Sequence, residues 1–188
     1  MEERITLILK DSLAVQEATI TKNYAQVIQA INVITEAFKK GRKLILFGNG
    51  GSAADSQHIA AEFIGRFQKE RKSLPAIALT TDTSILTSLA NDYGFETIFK
   101  RQIEGLGKEG DVAIGISTSG NSVNVIEAVK IAKKKGLKTI SLTGNKGGKL
   151  ADLTDINIDV PSSVTARVQE AHICVCHCIC EIVEENLS

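Results

Sequence analysis

Five short apolar runs, set apart by segments with helical spacing, constrain this chain more than any other feature. They are KLILFGN at 43–49, PAIALT at 75–80, DVAIGIS at 111–117, KTISLTG at 138–144 and DINIDV at 155–160. Near-continuous apolar strands must lose water from both faces, and helices lying between them in sequence supply the cover. The pattern predicts a three-layer α/β domain around a five-stranded parallel sheet. Ligands of such sheets bind beyond the carboxyl ends of the strands, where the strand order reverses. The loops that follow the runs are therefore the places to look for chemistry.

Ahead of the first run, residues 3 to about 22 and about 24 to 40 read as an N-terminal helical pair. In the second member, Val27, Ile28, Ile31, Val33, Ile34 and Phe38 recur at roughly helical spacing. Gly41 closes it, after Lys39 and Lys40 in the last turn. Residues 164 to about 186 form a last helix. The chain carries no fixed-period repeat, low-complexity tract or linker. At 188 residues it reads as one domain, with helices over 1–41 and the α/β core over 42–188.

Lys plus Arg equals Asp plus Glu at 22 each. That balance leaves no broad basic field of the kind that holds nucleic acid through its phosphates. No run of about 18 apolar residues predicts a membrane span. The opening MEERITLILKDS lacks the apolar core of a secretory signal. The expectation is a soluble cytoplasmic protein. Cys174, Cys176, Cys178 and Cys180 crowd into one short stretch, unlike the dispersed cysteines of a disulfide framework. On a strand all four would face one way, a set suited to a soft metal. On a helix, steps of about 200° scatter them and only the i, i+4 pairs align. Val175, Ile179, Ile182 and Val183 favour the helix, which makes the cysteines core fillers.

The first run ends in Gly48-Asn49-Gly50-Gly51-Ser52 and opens a helix. Glycines let backbone approach a ligand, and free N–H groups at a helix start attract anions. The letters also satisfy G-x-G-x-x-A, the dinucleotide fingerprint. That fingerprint needs an acid about 20 residues on at the end of the second strand. Here Asp82 is too far along and Glu70 lies in a charged loop. The third run ends in Ser117-Thr118-Ser119-Gly120-Asn121-Ser122, with more hydroxyls than one helix cap requires. Two anion-friendly loops at one sheet edge point to a phosphorylated small molecule. GGKL at 147–150 is not a P-loop, because Leu150 stands where Ser or Thr is needed.

His58 and Glu62 stand at i, i+4 on one helix face, placed to share a metal or to exchange protons. The last helix adds Gln169, His172 and His177. Gln169 and His172 share a face at i, i+3, and spacing alone favours that pair as joint ligands. Gln169 and His177 are separated by about 12 Å of helix rise. One ion would have to lie between two extended side chains, or the two residues would serve different subunits. Asn91-Asp92-Tyr93-Gly94 reads as a polar break between helices.

Taken in order, GNGGSAADSQHIAAEF, LANDYGFE, GISTSGNS, SLTGNKGGK and VQEAHICVCH resemble the sugar isomerase (SIS) domain family. Within it the set is most similar to the phosphoheptose isomerases, and the resemblance spans essentially the whole chain. It implies a flavodoxin-like sheet and a homotetramer with active sites at subunit interfaces. It implies conversion of sedoheptulose 7-phosphate to D-glycero-D-manno-heptose 7-phosphate, for nucleotide-activated heptose of lipopolysaccharide core or capsule. Carried over by motif, zinc ligands fall on His58, Glu62, Gln169 and His177. Substrate contacts fall on Asn49, Gly50, Gly51, Glu62, Asn91, Asp92, Ser117, Thr118, Ser119, Ser122 and Gln169. The cysteines replace positions that are usually aliphatic.

Ketose-to-aldose isomerisation moves a proton between C1 and C2 through an enediol. It needs a positioned base and a donor or metal at the carbonyl. Glu62 is the expected base and His177 the expected acid. Two rival readings share the loops: a non-catalytic adaptor that binds the bacterial replication initiator, and an isomerase of another sugar phosphate. An adaptor need not retain both Glu62 and His177, and the other isomerases lack the Gln169…His177 helix pattern. Neither membrane nor nucleic acid is an expected partner.

Overall fold

The computed structural model describes all residues from Met1 to Ser188. All five expected runs form strands: β1 (Leu44–Gly48), β2 (Ala76–Ala78), β3 (Val112–Ser117), β4 (Lys138–Gly144) and β5 (Ile156–Val160). They pair in parallel in the order β2-β1-β3-β4-β5. This is the doubly wound order that reverses between β1 and β3. The register sets Gly48 opposite Ile116, so the loops leaving β1 and β3 emerge side by side.

Alternation along each strand divides the core. Leu44 and Leu46 join Ile114, Ile116, Ile140 and Leu142 on one face. Ile45 and Phe47 join Ala113 on the other. The first face is covered by α1 (Glu2–Lys39), α2 (Gly51–Ile64) and α7 (Thr165–Leu187). The second is covered by α3 (Thr83–Tyr93), α4 (Ile98–Leu106), α5 (Val123–Lys134) and α6 (Gly148–Leu153). Phe47 and Phe63 are almost completely buried; truncating either to Ala would cost about 3–5 kcal/mol.

The N-terminal helical pair is one helix bent at Asn23, whose φ of −115° and ψ of 18° leave the helical region. The bend has a tertiary cause. The Asn23 amide donates to the Asp159 carbonyl at 3.0 Å and accepts the Asp159 N–H at 3.2 Å. It thereby pairs backbone groups of β5, which lies at the edge of the sheet and would otherwise expose them. A second boundary also moves. Asn91, Asp92 and Tyr93 are not a break but the last turn of α3, and Gly94 (φ 93°) ends the helix.

Candidate active site

The glycine turn sits at the switch point. Gly50 takes φ 56°, and α2 begins at Gly51. A Cβ on Gly51 would overlap the Gln169 amide. Across the crevice, Ser117 and Ser122 join hydroxyls at 2.9 Å, and Ser119 lies 3.5 Å from Ser117. Gly120 packs so tightly under Gly147 that a side chain there would strike the Gly147 carbonyl. The loop after β4 braces this hydroxyl turn, with Leu150 N–H donating to the Gly120 carbonyl at 3.1 Å. That brace holds Asn145 and Lys146 at φ 50° and 71°, a strained backbone for residues with side chains.

Two asparagines lock the glycine turn to the hydroxyl turn. Asn49 and Asn124 exchange amide hydrogen bonds in both directions, at 2.9 and 2.8 Å. Asn124 Oδ1 also accepts the Val125 N–H at 2.9 Å. Asn49, Ser122 and Asn124 line a cleft of about 560 Å³ together with Phe95 and Glu96. Asn91 and Asp92 lie exposed on the final turn of α3, joined by an Asn91-to-Asp92 side-chain bond of 2.8 Å.

His58, Glu62 and His177 meet further along α2. This helix and α7 run side by side in the same direction. Gln169 lies against Gly51, and two turns further on His177 meets His58. Ile59 and Phe63 pack with Val175, Ile179 and Val183 to hold the pair together. His58 Nε2 lies 3.0 Å from His177 Nε2 and 3.1 Å from Glu62 Oε1. The Phe67 ring flanks His177, with centroids 5.5 Å apart. Donor atoms of His58, Glu62 and His177 all lie within 4.8 Å of one another. Bonds of about 2.0–2.1 Å to a tetrahedral ion set neighbouring donors about 3.3 Å apart. Two imidazole nitrogens and a carboxylate oxygen at these spacings fit a divalent metal ion.

His172, the nearer partner of Gln169 by spacing, is excluded from the site. It is 1% exposed, and its Nε2 meets the Thr143 carbonyl at 3.0 Å. Burial pushes its pKa down to about 4, against the opposing pull of that carbonyl and of Asp159. The cysteines divide by face. Cys176 and Cys180 fill the core, and burial drives the Cys180 thiol up to about 12. Cys174 and Cys178 are only half-buried, so they are not core fillers in this chain.

Asp55 and Asn124 escape a reading by motif. Asp55 sits one turn before His58, and its Oδ2 is buried without a partner. Burial raises its pKa, while His58 and His177 draw it back. The i, i+3 spacing to His58 was the available signal. Asn124 had none, because its partner lies 75 positions away.

A fold of this topology, with two anion-friendly turns at its switch point, defines a class of sugar-phosphate-binding domains. The SIS domain sequence profile matches residues 9–144. A phosphoheptose isomerase of Aquifex aeolicus is 56% identical over 98% of this chain and 97% of its own length. The one of Geobacter sulfurreducens is 50% identical over 100% and 99%. The structure of the Neisseria gonorrhoeae phosphoheptose isomerase superposes with a TM-score of 0.93, at 42% identity and 98% coverage of both chains. The chain belongs to the SIS domain family and, within it, to the phosphoheptose isomerases.

Proposed function

We propose that this chain isomerises sedoheptulose 7-phosphate to D-glycero-D-manno-heptose 7-phosphate, the entry to nucleotide-activated heptose for lipopolysaccharide core or capsule. One spatial relation carries the reading. From Gly51, beside the phosphate-fitting turns, to His58 is seven residues of α2, about 10 Å at 1.5 Å per residue. A heptose with phosphate on C7 and reacting atoms at C1 and C2 is about as long. The turns hold one end, and the His58–Glu62–His177 cluster meets the other.

Ser117, Thr118, Ser119 and Ser122 donate hydroxyls to the phosphate, and the free N–H groups opening α5 and α2 complete its cradle. Asn49, Gly50, Gly51 and Gln169 line the chain of the sugar, and Asn91 and Asp92 bind its hydroxyls. Glu62 removes a proton from C1 of the open-chain ketose. The C1–H electron pair becomes the C1=C2 bond, and the C2 oxygen takes a proton from His177. Glu62 then returns its proton to C2 while His177 receives the proton leaving O1, which leaves an aldehyde at C1. His58, Glu62 and His177 would hold zinc, which supplies a Lewis acid at the carbonyl oxygen when bound. Gln169, the fourth ligand implied by the resemblance, lies instead against Gly51, two turns before His177.

The same reading takes the chain as one SIS domain over 1–188, acting in the cytoplasm as a homotetramer. Ile5, Leu9 and Leu13 on the first half of α1 are 52%, 59% and 65% exposed, an apolar stripe suited to cover by other copies.

Purified protein incubated with sedoheptulose 7-phosphate, with the product followed by NMR, tests the proposal. An aldoheptose phosphate formed by the unmodified chain and absent with Glu62→Gln is expected. Near-normal turnover by Glu62→Gln would remove the base assignment. No turnover by an intact oligomer, with or without zinc, would favour the adaptor reading.

A further inference from the structure

Past the end of α2 the chain crosses the surface over 65–75 before entering β2, and a buried ion pair clamps this segment. Glu184, two turns beyond His177 on α7, accepts the N–H groups of Phe67, Gln68 and Lys69 at 2.8, 2.7 and 2.7 Å. Its cation is Arg71, with Nε 3.0 Å from Oε1; the two side chains are 5% and 1% exposed. Arg71 donates to the carbonyls of Glu62, Phe63 and Gly65 at 2.9, 2.9 and 3.2 Å. Burying a charge pair is weak evidence for stability, because desolvation offsets the attraction. Here Arg71 Nε makes no hydrogen bond to Glu184. Direction comes from the Arg71 NH groups on the α2 carbonyls and from three backbone N–H groups on the Glu184 oxygens.

Both ends of this clamp reach the candidate site. Arg71 grips the backbone of Glu62 itself. Glu184 fixes the N–H of Phe67, whose ring lies against His177 at an interplanar angle of 41°. The Glu62 carboxylate and the His177 ring both converge on His58 Nε2. We propose that the Arg71–Glu184 pair is a positioning device for the His58–Glu62–His177 cluster. It sets the last turn of α2 against α7 and, through Phe67, holds the His177 ring toward His58 before any ligand arrives. The inference rests on reading that cluster as the proton-transfer and metal centre. Outer partners that orient ligand side chains in this way change metal affinity by about 10–100-fold when removed.

The test uses the full chain, metal-free, with labelled histidine. Only three histidines are present, and His172 reports the fold from the same helix that carries His177. In Glu184→Gln, the His177 and His58 resonances are expected to shift and broaden while His172 stays in place. Co2+ titration should then show affinity about 10–100-fold weaker than in the unmodified protein. Phe67→Leu leaves the buried pair intact and should weaken Co2+ binding in the same direction, which keeps the question answerable if Glu184→Gln folds poorly. An unmoved His177 in Glu184→Gln, or Co2+ bound by both variants as tightly as by an unmodified chain that does bind it, overturns the positioning role. Should the unmodified chain take up no Co2+ while His177 still responds to Glu184→Gln, the device stands and the metal reading falls.

Discussion

Asn49 and Asn124 form a closed pair, each amide donating to the other across the switch point at 2.9 and 2.8 Å. Asn124 is 3% exposed, so water cannot replace its partner without rearrangement, whereas the half-buried Asn49 also lines the cleft. Removing Asn49 leaves the buried Asn124 amide unsatisfied, a penalty of about 1–3 kcal/mol, whereas removing Asn124 leaves Asn49 able to meet water in the cleft. Asn124→Leu is therefore expected to stay folded but to release the glycine turn from the hydroxyl turn. Steady-state kinetics with sedoheptulose 7-phosphate should show KM raised by about tenfold or more, with a smaller fall in kcat. A double-mutant cycle with Asn49→Ala should show strong coupling, because both changes break the same pair. Strict additivity would mean that the turns are held by other contacts.

The buried His172 makes a pH prediction. Its pKa falls from the ordinary 6.5 to about 4, chiefly through burial. The unfolded chain takes up a proton that the folded chain refuses, so this group's contribution is complete above about pH 6.5. It is lost as pH falls toward about 4 and changes little below that. The full difference is about 3 kcal/mol. His172→Gln keeps a donor for the Thr143 carbonyl without the titration. Urea unfolding at pH 7 and pH 4.5 should show the unmodified chain losing more stability than the variant. The lowered carboxyls of Asp111, Asp155 and Glu184 add acid sensitivity to both proteins and cancel in the comparison.

These two residues mark how far the sequence could be read. The strands were legible because doubly covered apolar runs have few other uses; KTISLTG at 138–144 coincides with β4. β2 shrinks to three residues because it lies at the sheet edge and begins just after Pro75, which has no N–H to donate. The sequence reads as a helical pair with its boundary near residue 23, where the structure has a kink in one helix. The kink itself was not legible, since Asp159 causes it from the far end of the chain. Spacing favoured His172 over His177, and the structure reverses that choice. It depends on which face of α7 meets the sheet and on α7 running alongside α2 in the same direction. The reciprocal asparagines and the Arg71–Glu184 clamp join distant segments through side chains that are ordinary in isolation.

Gly51 offers a sharper test of close approach. An added Cβ meets the far end of the Gln169 side chain, which can swing aside, so Gly51→Ala should change unfolding free energy by about 1 kcal/mol or less. Turnover should nevertheless fall by about tenfold or more, because the Gln169 amide is displaced from the turn. Gly51→Ala combined with Gln169→Ser removes the overlap and should leave stability normal and turnover low. Normal turnover in Gly51→Ala would mean that Gln169 need not sit where the structure has it.

Metal removal separates the two chemistries assigned to His58, Glu62 and His177. A ligand that binds only the folded chain stabilises it by RT ln(1 + [L]/Kd), about 2.7 kcal/mol at a hundredfold excess over Kd. Zinc added to chelated protein should therefore raise Tm, and His177→Ala should abolish most of that rise, since it deletes one of three converging donors. Activity should fall on chelation and return with zinc in the unmodified chain. Glu62→Gln should stay inactive even when saturated with zinc, because an amide cannot carry the proton between C1 and C2. If zinc raises Tm but chelated protein turns over at the full rate, the ion braces α2 against α7 and Glu62 and His177 perform the isomerisation alone.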